Sequence, residues 1–251
     1  MESDRIPSHF LVRVTDLHAA VADFQAAGFT VVWGQIPDEA HNALIHFPEG
    51  PFLELFTPLP HGWKRHLFRV LARVGSLVGQ ADLRRYQRWI DARGFCEWAI
   101  ETENPLAEEI PRIEETGTEM GGPRKIVRTP PDGPLLKWSI ASPKDTDLPF
   151  IMDPYRPGPH LPPGATEHAN GVTRLCALEL TDPDPAGHAA SLRTYLGQGE
   201  VTADGDTTVL EVNGFEIRIS RGANHSPAAL RGTGPDESLE VRLHGLTLTT
   251  E

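Results

Sequence analysis

Residues 9 to 14 of the chain, HFLVRV, alternate so that Phe10, Val12 and Val14 share one side of an extended segment and His9, Leu11 and Arg13 the other. The period then changes. Leu17, Val21 and Phe24 recur at helical spacing, Asp16 stands where a helix cap would, and Gly28 where a helix ends. Strands are predicted at 29–33 (FTVVW), at 42–47 (NALIHF) and, past the Glu49-Gly50 turn, at 51–56 (PFLELF). In the last of these Leu53 and Leu55 face one way and Phe52, Glu54 and Phe56 the other. With the leucines packed on the helix, Glu54 projects from the same side as His9, provided no β-bulge intervenes. The unit is a strand, a helix and three strands, with metal-capable side chains on its first and last strands.

The pattern repeats. After a helical insertion over 62–92, predicted as two helices broken near Gly75 to Gly79, CEWAIET (96–102) stands where HFLVRVT stood. Asn104-Pro105 opens a helix with Leu106, Ile110 and Ile113 as its apolar stripe, kinked or shortened by Pro111. LLKWSI (135–140) and LPFIMD (148–153) complete the unit. Setting Asn104 against Asp16 places Glu97 opposite His9, and setting PFIM against PFLE places Met152 opposite Glu54. A third, shorter copy follows the Pro-rich segment PYRPGPHLPPG. It has TRLCALEL as a strand, a helix from Asp184-Pro185 to about Leu196, a hairpin turning at Asn213-Gly214 and LEVRLHGLTL as a further strand. Its first strand carries Ala177 or Leu178 where His9 would be, so Glu216 is read as structural.

The expected organisation is therefore α+β: repeated βαβββ modules forming curved mixed sheets around a cleft. The boundaries are 8–58 for the first module, 59–94 for the insertion, 95–154 for the second module, 155–171 for the linker, and 172–251 for the third module with its C-terminal strand. An odd number of copies leaves the third in need of a partner surface, either beside the first pair or across a homodimer.

Composition narrows the function. A net charge of −12 works against a nucleic-acid partner. Mean hydropathy is −0.31, and no apolar run reaches the roughly 20 residues that span a bilayer, so the expected setting is cytoplasmic, with no membrane partner. Cys96 and Cys176 lie singly in apolar runs and read as free, buried thiols.

The runs HFLVRVTDLHAAVADFQAAGFTVV, HNALIHF, PFLELF, LLKW and LPFIMD resemble the glyoxalase-like branch of the vicinal oxygen chelate superfamily, which also holds bleomycin-resistance proteins and ring-cleaving dioxygenases. The resemblance covers roughly residues 8 to 220. It implies paired βαβββ modules enclosing a cleft for a small molecule, with ligands for one divalent ion on the first and last strands of each module. Carried onto this chain, it implies His9, Glu54 and Glu97 as metal ligands, with Met152, a poor donor to hard ions, at the fourth corner. An open three-ligand site suits Zn, Mn, Fe, Ni or Co; one imidazole with two carboxylates leans toward Mn, Fe or Zn and departs from the two-histidine set of ring-cleaving dioxygenases.

Other residues are cleft candidates by position. His41 and Asn42 start a strand, Arg13 shares the side of His9, and Lys137 and Trp138 lie on a strand of the second module. Glu97 and His168, in the loop between the second and third modules, are the candidate proton-transfer groups. His46 is read as a surface histidine. The expected function is a metal-dependent lyase or isomerase acting on a small oxygenated substrate. A metal-free binding or resistance protein is the alternative, and a dioxygenase the less favoured third.

Overall fold

The computed structural model describes residues 5–58, 81–131, 133–158, 160–234 and 238–250; the first helix expected in the insertion lies outside them. The chain begins with β1 (Ile6–Arg13), α1 (Leu17–Ala26), β2 (Val32–Trp33), β3 (Asn42–Ile45) and β4 (Phe52–Phe56). Next come α2 (Ala81–Asp91), β5 (Gly94–Glu101), α3 (Leu106–Glu114), β6 (Arg124–Arg128), β7 (Leu136–Ala141) and β8 (Phe150–Met152). All of these strands form one sheet in the order β2-β3-β4-β1-β5-β8-β7-β6. β1 runs parallel to β4 and antiparallel to β5, so the two modules join along the β1–β5 seam.

A second sheet repeats this plan. β9 (Arg174–Asp182), α4 (Pro185–Leu196), β10 (Glu200–Asp204), β11 (Thr207–Val212) and β12 (Phe215–Arg221) form the third module. β13 (Ser226–Thr233), β14 (Glu240–Leu243) and β15 (Leu246–Thr250) follow, and the order is β10-β11-β12-β9-β13-β15-β14. β9 is antiparallel to β13, as β1 is to β5. The third module therefore finds its partner within the chain, in a fourth half-module whose strands are not joined by a helix among the described residues. The odd copy number, and with it the argument for pairing across a dimer, does not hold. The run LEVRLHGLTL is two strands, β14 and β15, turning at His244 and Gly245, both at positive φ (48° and 77°). A two-residue turn of this kind matches the twist of a hairpin.

The alternation read from the sequence is the one the core uses. Phe10, Val12 and Val14 of the β1 region pack with Leu17, Val21 and Phe24 of α1 and with Leu53 and Leu55, and Phe10 stacks on Phe215 of the second sheet. This leaves the opposite face of the first sheet free of the main core. There Leu11, Phe56, Ala99 and Phe150 form a smaller apolar cluster, against which Trp89 of α2 packs. The sheets also touch where Gly94 meets Gly245. A Cβ on Gly94 (φ 78°) would come within 2.6 Å of the Gly245 Cα, and the Phe95 amide donates to the Gly245 carbonyl at 3.2 Å. Glycine alone fits that backbone approach. Helix α3 runs through Pro111 to Glu114, and its buried Glu109 pairs with Arg5 at 3.1 Å.

Candidate functional site

Parallel pairing of β1 with β4 sets Leu11 beside Glu54, so His9, two residues earlier in β1, lies on the same face as the carboxylate. Glu54 Oε2 is 3.5 Å from His9 Nε2. Its other oxygen accepts a 2.7 Å hydrogen bond from the Asn42 amide. Gly34 keeps that amide in place, since a Cβ there would lie 2.0 Å from the Asn42 side-chain oxygen.

The imidazole of His9 is buried, stacked on Phe52 (centroids 4.8 Å, planes 9° apart) and edge-on to Phe150. Behind it, the Ser8 hydroxyl donates to Glu101 at 2.9 Å, so the 3.2 Å contact with His9 Nδ1 is one in which the ring donates to Ser8. That assigns the His9 proton to Nδ1 and turns the Nε2 lone pair toward Glu54. Burial pushes the Glu54 carboxyl above its usual range, against the opposing pull of Asn42 and Arg128. A proton held on Glu54 satisfies both atoms of the pair.

His9 and Glu54 open onto a cavity of about 390 Å³. Its apolar wall is Leu11, Phe56, Trp89, Ile140, Phe150 and Met152, and its rim includes His41 and Asn42. Across from these stands Arg128, the last residue of edge strand β6, with its guanidinium over the rings of Trp138 (5.4 Å) and Tyr155 (5.5 Å). Arg128 Nε is buried and has no hydrogen-bond partner. Burial raises the Tyr155 hydroxyl to about 12, which keeps it neutral. The site is thus a half-apolar cleft with an acid–base pair on one side and a guanidinium on the other.

Of the residues expected here, His9, Glu54, His41, Asn42 and Trp138 line the cavity. Glu97 does not. The repeat alignment set it in the place of His9, but with Met152 in the place of Glu54 the strand registers put Ala99 there, and it is Ala99 that stands beside His9 while Glu97 stands beside Leu11. The Glu97 carboxylate instead receives Arg85 at 2.5 Å, Arg88 at 2.6 Å and the Trp89 indole at 3.3 Å, and it lines a neighbouring cavity. Burial acts to raise its pKa, but the two guanidinium groups outweigh burial and hold it low. Such a carboxylate neither coordinates nor accepts protons readily.

His168 also lies elsewhere. Its Nδ1 accepts from the Thr30 amide at 3.0 Å, and its ring packs edge-on against Phe29 and Phe47, fastening the loop before the third module to the first. Lys137 is exposed, with its backbone paired to Arg156; Arg13 donates to Thr15, and neither residue lines the cavity. His46 is not at the surface but 9 % exposed against Phe52. The thiols of Cys96 and Cys176 are half-buried rather than buried. Arg128, Tyr155 and Trp89 were missed by the sequence reading. RKIVR before the Pro-Pro-Asp-Gly turn was the available sign of Arg128.

The buried histidines give the protein an acid-sensitive stability. An unfolded chain protonates histidine near pH 6.5, whereas His9 holds off to about 3 and His46 to about 4, in each case through burial and then the charge of Arg128. Between these values the unfolded state binds more protons, so stability is complete above about pH 6.5 and falls as pH is lowered. Each of these two histidines contributes up to about 1.4 kcal/mol per pH unit, and the raised Glu54 offsets part of this. Denaturant unfolding at pH 7, 6 and 5 measures the slope, and His46→Gln should flatten it.

The comparisons with known proteins agree with this architecture. The family described as "Glyoxalase-like domain" matches residues 8–196. A search of curated protein sequences returned no match. Among solved structures, a hypothetical protein from Staphylococcus aureus is similar at 12 % identity and TM-score 0.73, covering 98 % of this chain and 99 % of that one. The Mn(II)-bound glyoxalase from Novosphingobium aromaticivorans is similar at 11 % and 0.56, covering 100 % and 83 %. Homoprotocatechuate 2,3-dioxygenase from Brevibacterium fuscum, in complex with 3,4-dihydroxyphenylacetate, gives 11 % and 0.58, covering 100 % and 82 %. At these identities the structural likeness establishes the fold alone. The match over residues 8–196, with the paired curved sheets, makes this chain a member of the glyoxalase-like family of the vicinal oxygen chelate superfamily.

Proposed function

We propose that the cleft binds a small, partly aromatic molecule with an oxygen-rich anionic end, and that Glu54 moves a proton on it in a lyase or isomerase reaction that needs no metal in the cleft. The observation that carries this reading is a buried carboxyl of raised pKa facing an arginine across an apolar cavity of ligand size. Ionised Glu54 would take a proton from carbon next to a carbonyl, Arg128 would stabilise the charge that develops on oxygen, and Glu54 would return the proton to a different atom. His9 is a positioning residue, held by Ser8 and Phe52, that orients Glu54.

A metal in this cleft is poorly supported by the donors present. His9 and Glu54 supply two, but the matching places in the second module are Ala99 and Met152, and the guanidinium of Arg128 acts on both His9 and Glu54. Catalytic zinc sites take three protein ligands, and ring-cleaving iron sites take two histidines and a carboxylate. The apolar wall favours a second reading, simple sequestration of an aromatic compound.

Trp89 and Trp138 line the cavity, so their fluorescence reports occupancy. Titration with phenylpyruvate and 3,4-dihydroxyphenylacetate should quench it. Arg128→Met should weaken binding about ten- to a hundredfold, the value of a hydrogen bond to a charged group. Equal affinity in wild type and variant would refute the assignment of Arg128 as the anion-binding group. Exchange of the phenylpyruvate C–H protons with deuterium, followed by proton NMR, tests catalysis directly. Binding without enzyme-dependent exchange would replace proton transfer by sequestration.

A further inference from the structure

The second sheet carries a cluster that the cleft does not use. Asp182 ends β9, His188 lies in the first turn of α4, and His225 lies in the turn between β12 and β13. The Asp184 amide donates to Asp182 Oδ1 at 2.7 Å and fixes the carboxylate. Its Oδ2 then faces both imidazoles, 3.2 Å from His225 Nδ1 and 3.7 Å from His188 Nδ1. The two rings are tilted against each other with centroids 4.5 Å apart. One ligand atom from each residue falls within 4.8 Å of the others. The two carboxylate–imidazole spacings, 3.2 and 3.7 Å, are close to the edge of a tetrahedron with metal–ligand bonds of about 2.0–2.1 Å, roughly 3.4 Å.

His188 supplies an independent sign. It is 9 % exposed, its Nε2 has no hydrogen-bond partner, and its Nδ1 is too far from Asp182 for a hydrogen bond. A buried imidazole whose Nε2 has no partner and whose Nδ1 reaches only the 3.7 Å contact with Asp182 is costly, and a metal–nitrogen bond would relieve part of that cost. Nor does the fold require polar groups here. Helix-capping Asp184 in the third module corresponds to helix-capping Asp16 in the first, and by the same offset Asp182 and His188 correspond to Val14 and Ala20, both fully buried apolar residues. The identical place in the first module is filled by core.

We propose that Asp182, His188 and His225 form a three-ligand site for a zinc-class divalent ion, separate from the cleft of the first sheet. Two imidazoles and a carboxylate suit such an ion, and water would complete the coordination. His225 also lines the cavity of about 510 Å³ shared with Arg88 and Cys96, which gives the ion a route in and leaves room for that water.

The test is uptake of the metal alone. Protein stripped with chelator and titrated with Co²⁺ should bind one equivalent with the visible d–d absorption of a low-symmetry nitrogen and oxygen site, and Zn²⁺ should displace it and raise Tm. His225→Ala, in a turn, and His188→Ala should each weaken uptake by at least about 100-fold, the upper end of what loss of even an outer-sphere partner costs. Circular dichroism of the His225 variant confirms that it is folded. His9→Ala and Glu54→Gln should keep full uptake. No stoichiometric uptake by wild type, or unchanged uptake in folded His225→Ala, overturns the proposal. Uptake that follows His9 and Glu54 instead overturns it and the metal-free reading of the cleft together, whereas a silent cleft with intact uptake leaves this site standing.

Discussion

Glu97→Gln should destabilise the protein by about 3–5 kcal/mol while leaving ligand binding in the cleft nearly unchanged, as read by denaturant unfolding and by tryptophan quenching. The reason is Arg85. It is 1 % exposed, and besides Glu97 its guanidinium reaches the Leu148 carbonyl at 2.6 Å and the Asp145 carbonyl at 3.5 Å. Removing the charge of Glu97 leaves that cation in the interior with only neutral acceptors, and the desolvation cost, once offset by the ion pair, is then fully felt. Arg88, with a side chain 32 % exposed, can turn to Asp147 at 3.6 Å and suffers less. The double change Arg85→Met with Glu97→Leu removes both charges and should recover much of the loss. A Glu97→Gln protein as stable as wild type would refute this role.

Glu54→Gln should behave in the opposite way. Glutamine keeps the shape and can still accept from Asn42, but it moves no proton, so exchange into phenylpyruvate should fall by about 10²–10⁴-fold with affinity altered only a few-fold. Stability should hold or rise slightly, because a buried ionisable group becomes neutral. The wild-type rate should climb with pH through the raised pKa of Glu54. His9→Asn, which removes only the group that orients Glu54, should lower the rate less and shift that pH profile. A merely structural Glu54 would give an exchange rate that ignores both the substitution and the pH.

What could be read from the sequence was what depends on short spacing. Strand parity within HFLVRV and PFLELF put His9 and Glu54 on one face because the side-chain period of a strand is two over any five residues. Matching PFIM to PFLE put Met152 in the place of Glu54, and the paired registers Leu11–Glu54 and Glu101–Met152 carry that match. Glu97 was misplaced because its position was measured across a connection. Counted from the counterparts His9 and Ala99, the cap Pro105 comes one residue sooner than the cap Asp16, and taking Asn104 for that cap adds the other residue of the shift of two. Arg128 was illegible for a different reason. It sits on a five-residue edge strand exposed along most of its length, where no apolar alternation announces a strand. Tyr155 lay in a stretch whose prolines read as linker, and Asp182, His188 and His225 are joined only by the folding of three separate segments.

The placement of β1 and β9 has a kinetic consequence. Each is a central strand of its sheet, and each needs on one side a partner that comes much later in the chain, β5 for β1 and β13 for β9. As the chain emerges in order, the first module presents an unpaired central edge with a buried-type sequence until Gly94–Glu101 arrives. Closure of that seam is a long-range event, slow by its loop entropy and open meanwhile to pairing with other chains. The two seams, rather than any helix, should therefore set the pace of folding, and the residues flanking them decide how much of the newly made protein escapes aggregation.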